Sequence, residues 1–398
     1  MKIVIAPDSF KGTLSSAQAT SCIEEGIKKI FPEAWCVNIP IADGGEGTLC
    51  ALVSASAGKM IGASVKDPLG REIEAFWGMM GDGETAVIEM AAASGLPLLG
   101  REERNPLVTT SWGTGQLIQA ALDHGVRKII MGIGGSATVD GGAGMAQALG
   151  VRMKDPSGHD ISPGGMNLEM LDSIDISGMD GRISSVQFQV ACDVDNPLLG
   201  EKGAARVYGP QKGATPEMVE ILESGLSRFA AVIRKETGIE VSNIPGAGAA
   251  GGMGAALLAF FKARLVPGFE LIQEALPLER EIADADLVIT GEGKLDEQTL
   301  FGKAPAGVAR LARKHGVPVV MIGGMIGEKT EDWVRHGMGS CFSALERNMT
   351  EEDIFDQAGP RLRRCSERIA AAISIGMSLE RKRLQPTEPH FSDPKKLL

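Results

Sequence analysis

The stretch 284–315, DADLVITGEGKLDEQTLFGKAPAGVARLARKH, constrains the fold of this chain more than any other. It opens with Leu287-Val288-Ile289, a short apolar run of the kind that forms a strand buried on both faces. The run ends in Gly291-Glu292-Gly293-Lys294, followed by Leu295, Asp296 and Glu297. A second Gly-Lys pair, Gly302-Lys303, precedes a helix with Pro305 in its first turn, where a missing amide costs nothing. Val308, Leu311 and Ala312 give that helix an apolar face, Gly316 is placed to end it, and 317–322 reads as the next strand. Such a β-loop-α-β unit predicts a parallel sheet. Its acids, glycines and lysines fall in the crevice at the strand ends where α/β proteins bind ligands.

The same pattern opens the chain. A strand at 2–6 is cut by Pro7-Asp8-Ser9, and a helix over 15–31 follows with Ser15 or Ser16 as its cap. A strand at 36–42 then leads to Asp43-Gly44-Gly45-Glu46-Gly47-Thr48 and another helix. From Gly58 the pattern changes. Runs at 60–66, 72–79 and 85–90, separated by Asp67-Pro68-Leu69-Gly70 and Gly81-Asp82-Gly83, predict an antiparallel meander. A helix at 111–124, a strand at 128–133, a helix at 216–237 and a glycine-rich run at 246–254 follow. After Leu276 the βαβ pattern returns, with a capping box at 350–353 and a last helix over 360–384. The expected fold class is α/β with two domains. One is a Rossmann-like parallel-sheet domain, discontinuous in sequence (1–60 and 277–384); the other is an inserted mixed α/β domain (61–276). A flexible tail, 385–398, ends the chain.

Composition narrows the function. A chain of 398 residues is too long for a single compact core. Its 52 glycines are roughly twice the usual ~7% share. The net charge of −11 argues against nucleic acid or an anionic membrane as partner, so small molecules are expected. Six scattered cysteines form neither a CxxC nor a Cys/His cluster. Only four consecutive apolar residues, Ile3 to Ala6, precede Pro7, too few for a secretory signal, and the expected location is cytoplasmic. The oligomeric state stays open, a homodimer among the options.

Two runs imitate a dinucleotide fingerprint: Gly132-Ile133-Gly134-Gly135-Ser136-Ala137 and Gly246-Ala247-Gly248-Ala249-Ala250-Gly251. The first reaches its helix only after Asp140-Gly141-Gly142, and the second has no clear preceding strand, so both are weak as NAD sites. A Walker loop, kinase HRD and DFG elements and a Gly-x-Ser-x-Gly elbow are missing. What remains is chemistry run by carboxylates, lysines and glycine loops, which suits phosphoryl transfer. Asp193, Asp195, Glu292 and Asp296 are candidates to hold Mg²⁺ or to accept a hydroxyl proton; Lys11, Lys294 and Lys303 are candidates to neutralise phosphate or carboxylate.

At these residues the chain resembles a known family. Ala6-Pro7-Asp8-Ser9-Phe10-Lys11-Gly12, Ile41-Ala42-Asp43-Gly44-Gly45-Glu46-Gly47-Thr48 and the run from Gly132 to Gly142 are similar to the bacterial type I glycerate kinases. So are Cys192-Asp193-Val194-Asp195-Asn196-Pro197-Leu198, Tyr208-Gly209-Pro210-Gln211-Lys212-Gly213-Ala214 and Thr290-Gly291-Glu292-Gly293-Lys294-Leu295-Asp296. The resemblance implies ATP- and Mg²⁺-dependent phosphorylation of D-glycerate to 2-phosphoglycerate, on two α/β domains. Within its motifs Asp193 and Lys11 are expected to be catalytic, and Lys303, placed by the strand-end reading of 284–315, is expected to act with them. Asp8, Ser9, Asp43, Gly44, Gly45, Glu46, Gly134, Gly135, Ser136, Asn196, Lys212, Gly291, Glu292 and Lys294 are expected to bind substrate or nucleotide, and Asp195 and Asp296 the metal. The rival readings are a nicotinamide-dependent oxidoreductase of a hydroxy acid and a non-catalytic binding protein for hydroxy acids.

Overall fold

The computed structural model describes residues 1–42, 47–300, 304–327, 333, 339–345 and 351–384. Asp43, Gly44, Gly45, Glu46 and Lys303 lie outside the described residues, as does the tail. In chain order the strands are β1 (Lys2–Ile5), β2 (Trp35–Asn38), β3 (Lys59–Lys66), β4 (Glu72–Met79), β5 (Thr85–Glu89), β6 (Lys128–Gly132) and β7 (Arg152–Lys154). They continue as β8 (Ser173–Asp175), β9 (Gln187–Ala191), β10 (Arg264–Val266), β11 (Leu287–Leu295), β12 (Val319–Ile326) and β13 (Ser340–Ser343). Among the described residues they form a five-stranded sheet, β13-β12-β11-β1-β2, a six-stranded sheet, β10-β9-β6-β5-β4-β3, and the β7-β8 pair. All pairings in the first are parallel. In the second, β5, β6, β9 and β10 run parallel, and the expected meander of β3, β4 and β5 forms one flank.

Side-chain alternation builds the layers. Ile3 and Ile5 face helix Ser16–Lys28 and helix Glu351–Leu384, where they share a core with Ile23, Ile27, Leu362 and Ile369. Val4 and Val288 point the other way, into a core with Leu52 of helix Thr48–Ala55, Ile272 of helix Gly268–Ala275 and Val308 of helix Ala304–Lys314. The second sheet reaches the same middle layer through Val87, Ile130 and Ala191. Its opposite face sends Ile88, Ile129 and Met131 into a third core with Leu117 and Phe229. Helix Thr48–Ala55 is seated closely on the second sheet. A Cβ on Gly78 of β4 would lie 2.2 Å from Val53 Cγ2, and the Leu49 N–H donates to Glu89 Oε1 at 2.9 Å.

The pairing of β1 with β11, in register Ile3↔Leu287, Val4↔Val288 and Ile5↔Ile289, continues beyond the strand. Ala6 N donates to Ile289 O at 2.8 Å, Thr290 Oγ1 to Ala6 O at 2.7 Å and Asp8 N to Gly291 O at 2.8 Å. Two expectations need correction. First, β11 does not end before Gly291 but runs to Leu295, so Glu292 and Lys294 are strand residues and not loop residues. The glycines serve close approach there: a Cβ on Gly291 would lie 2.0 Å from Ile322 O of β12. Second, Pro360 does not begin a new helix; one helix runs from Glu351 to Leu384 with the proline inside. The lost backbone bond costs about 3 kcal/mol in an isolated helix. Burial of Leu362, Ile369 and Ala370 against helix Ser16–Lys28 offsets that cost. Gly26 lets the two backbones meet, since a Cβ on it would stand 2.3 Å from Arg363 O.

The glycine-rich run before Phe261 contains three successive left-handed residues, Ala250 (φ +56°), Gly251 (φ +73°) and Gly252 (φ +90°). This turn lays its backbone on the segment after β6: Gly141 N donates to Gly251 O at 3.1 Å. A Cβ on Gly251 would lie 2.0 Å from Thr138 O. We expect Gly251→Ala to cost about 3 kcal/mol or more, and Ala250→Gly to gain about 0.5–1 kcal/mol by removing left-handed strain. Urea unfolding curves check both; equal midpoints for the two variants would refute this account.

Candidate active site

The strands of both sheets deliver their carboxyl ends to neighbouring cavities. Beyond β1, Phe10 N donates to Leu14 O at 2.9 Å and Thr13 N to Phe10 O at 2.8 Å, which makes a tight turn with Lys11 and Gly12 (φ +79°) at its tip. The positive φ at the third position is the type II signature that glycine satisfies. Lys11 is exposed there and lines two cavities. One, of about 260 Å³, is bounded by Glu292, Gly293 and Lys294 of β11 and by apolar Phe10, Met325 and Leu362. The other, of about 540 Å³, is bounded by Gly134, Gly135 and Ser136 beyond β6, by Cys192 and Asp193 beyond β9, and by Tyr208 and Ala250.

The turn after β6 is held on both sides. Met90 N donates to Gly132 O, Leu96 N to Gly135 O and Ala137 N to Ser94 O, each at 2.9 Å, and Thr109 Oγ1 donates to Ala137 O at 2.9 Å. That leaves Gly134 and Gly135 (φ +73°) exposed to the cavity. Asp193 is exposed and accepts from Gly268 N, at the start of helix Gly268–Ala275, at 2.8 Å. Asp195 is exposed two residues further on. Asp8 is buried, its Oδ1 accepting from Ser9 N. Glu292 is buried and accepts from Thr299 Oγ1 at 2.6 Å, while Lys294 pairs with Asp296 at 3.2 Å. The structure therefore gathers Lys11, Gly134, Gly135, Ser136 and Asp193 around one cavity. Glu292, Lys294 and Asp296 stand at the end of the other sheet.

Asn196 and Lys212 work from inside. Asn196 accepts from the Tyr208 hydroxyl at 2.7 Å and donates to Lys202 O at 2.8 Å. Lys212 is buried, and its Nζ donates to Ser136 Oγ and Thr138 O, both at 2.7 Å. Burial pulls its amine down from 10.5 to about 7, opposed by the Asp140 carboxylate. Asp140 is itself buried and accepts from Ser111 N and Oγ, Gly142 N and Gly144 N. Sequence reasoning passed over Asp140 and Tyr208 as site residues. The signal was there, because Tyr208 is the chain's single tyrosine and stands four residues before Lys212. Burial raises its hydroxyl pKa.

Among the described residues no group of three or more His, Cys, Asp or Glu is placed to hold a metal ion. No helix among them is long and apolar enough to cross a membrane. Neither glycine run forms a dinucleotide fingerprint. The run after β6 turns back on residues 90–96, and helix Ala143–Ala148 starts well downstream of it. The second run winds left-handed at 250–252.

An α/β protein with glycine turns, lysines and acids gathered at the converging strand ends of two sheets is built to hold a small anionic ligand. The chain belongs to the glycerate kinase family, whose model matches residues 3–374. It is 51% identical to a glycerate kinase of Bacillus subtilis (strain 168) over 379 residues, covering 95% of this chain and 99% of that one. It is likewise 51% identical to a glycerate 2-kinase of Escherichia coli (strain K12), with 95% and 99% covered. A crystal structure described as that of a glycerate kinase 2 from Salmonella typhimurium LT2 superposes with a TM-score of 0.88 at 51% identity, covering 95% of this chain and 99% of its own.

The buried amine makes stability depend on pH. Lys212 holds its proton up to about pH 7 when folded and about 10.5 when unfolded. Between these values the unfolded chain binds more protons, so the Lys212 contribution to stability grows with rising pH and is lost again as pH falls through 7. Lys212→Met lacks this contribution. The stability of wild type minus that of the variant should therefore increase from pH 7 to pH 10 in urea titrations. A difference that stays constant across that range would mean that the amine is charged in the fold.

Proposed function

We propose that this protein is a kinase that transfers the γ-phosphoryl group of ATP, with Mg²⁺, to D-glycerate, giving 2-phosphoglycerate. The observation that carries this reading is the meeting of Lys11, the glycine turn after β6 and Asp193 around one cavity, in a chain of this family. The regiochemistry follows the E. coli relative named as a glycerate 2-kinase. The division into 1–60 with 277–384 and 61–276 is part of the proposal, supported by the pairing of β1 with β11.

Phosphoryl transfer asks the protein for positioning and charge neutralisation more than for covalent chemistry. Gly134 and Gly135, lacking side chains, let phosphate oxygens come close to the backbone. Lys11, at the tip of its turn, supplies a cation that reaches the transferring group from the first sheet. Asp193, fixed at Gly268, orients the attacking hydroxyl of glycerate. Mg²⁺ is ordinarily held by one or two carboxylates plus substrate phosphates, and Asp195 beside Asp193 offers a hard oxygen donor of that kind. Asp296, ion-paired with Lys294 at the other sheet, is the second donor in this reading. When bound, the ion neutralises phosphate charge. Neither of the two described glycine runs supports the oxidoreductase reading.

The test is ADP release on mixing the protein with ATP, Mg²⁺ and D-glycerate, with phosphorus NMR of the product. Release that does not depend on glycerate, or 3-phosphoglycerate as product, would overturn the reading. Lys11→Ala should lower kcat/KM on the order of 100-fold, about 3 kcal/mol of transition-state stabilisation. Lys59→Ala, on an exposed residue of β3, should behave as wild type.

A further inference from the structure

Beneath the glycine turn lies a lysine almost sealed from solvent. Lys212 is 1% exposed, whereas Ser136, to which it donates, lines the cavity. The two bonds of Lys212 Nζ run to Ser136 Oγ and to Thr138 O. A carbonyl can only accept, so Thr138 takes one N–H whatever the state of the amine. An ammonium has three donors and no acceptor, so toward it Ser136 Oγ must also accept. The hydroxyl proton of Ser136 is then turned away from Lys212, and Ser136 lines the cavity whereas Lys212 does not.

We propose that Lys212 is a positioning residue that aims the Ser136 hydroxyl into the cavity, where Ser136 donates to a phosphate oxygen of the bound nucleotide. This rests on the glycerate kinase reading of the same cavity and adds a mechanism for one of its walls. The amine never meets the ligand. A neutral amine keeps a lone pair that can draw the Ser136 proton back; a phosphate in the cavity favours the protonated amine and the outward hydroxyl. The charged and titratable groups facing Nζ are Asp140, on the segment above it, and Tyr208, whose ring centroid is 5.9 Å away. A buried lysine near its neutral point is suited to this role, because a nearby negative charge changes its protonation at ordinary pH.

The experiment measures kcat/KM for glycerate and calorimetric MgATP affinity in wild type, Ser136→Ala, Ser136→Thr, Lys212→Met and the Ser136→Ala/Lys212→Met pair. Far-UV circular dichroism and melting establish that each is folded at the assay temperature. Ser136→Ala should lose about 10- to 100-fold in kcat/KM and about 10-fold in MgATP affinity, as for a lost bond to a charged group. Ser136→Thr, which keeps a hydroxyl, should recover most of this. Lys212→Met should lose a similar factor, and the double variant no more than the larger single loss. Multiplying losses would show that Lys212 acts independently of Ser136 and would overturn the proposal, as would an unchanged Ser136→Ala. If Lys212→Met does not fold, the serine pair decides: a loss in Ser136→Ala without recovery in Ser136→Thr rejects it. A wild type without turnover sinks the glycerate kinase reading instead, and the MgATP affinities of the variants still judge the serine–lysine couple.

Discussion

Three consecutive residue pairs of parallel strand, Ile3–Ile5 against Leu287–Ile289, join parts of the chain some 284 residues apart, and the architecture hangs on that junction. It places the turn carrying Lys11 against Gly293, where a Cβ would come within 3.2 Å of Lys11 N. It also fixes the point where strand order reverses: β2 lies to one side of β1, and β11, β12 and β13 to the other. In open α/β sheets that reversal opens the crevice in which ligands sit. Closing so long a loop is thermodynamically mild, since each doubling of length adds only about 0.6 kcal/mol. Kinetically it is demanding, because the contact brings no benefit until the intervening residues have been ordered.

An acidic protein that handles anions must make its positive field locally. Here the cations are arranged by depth. Lys11 stands at the surface between two cavities, Lys294 is tied to Asp296, and Lys212 is sealed under a glycine turn. Each depth carries a different physical role. An exposed lysine can meet an anion at little desolvation cost, whereas a buried one has its proton affinity set by its surroundings.

Much of this was legible in the sequence because strand ends announce themselves. The strands expected at 2–6 and 128–133 end one residue earlier, at Ile5 and Gly132, and Phe10, Lys11, Gly134 and Gly135 beyond them line the cavities. The alternation of Ile3, Val4 and Ile5 between two cores shows why the run had to be apolar throughout. What was not legible depends on neighbours distant in sequence. Glycine reads locally as a breaker, so β11 appeared to stop at Gly291; the backbone of β12 beside it makes glycine the residue that fits. Proline reads as a helix start, so Pro360 appeared to open a helix that in fact runs through it on the strength of packing against helix Ser16–Lys28. The burial of Lys212 was not legible either, because nothing local says that a turn from residues 133–138 will close over it.

Helix Thr48–Ala55 is wedged in the layer common to both sheets, with Leu49 and Val53 seated at Gly78 of the second. A clam-like gape between the sheets would strip those side chains into water, at about 25 cal/mol per Å² of apolar surface uncovered. Sliding along the seam keeps them covered. Between the two movements the slide is therefore the cheaper, because only the gape uncovers Leu49 and Val53.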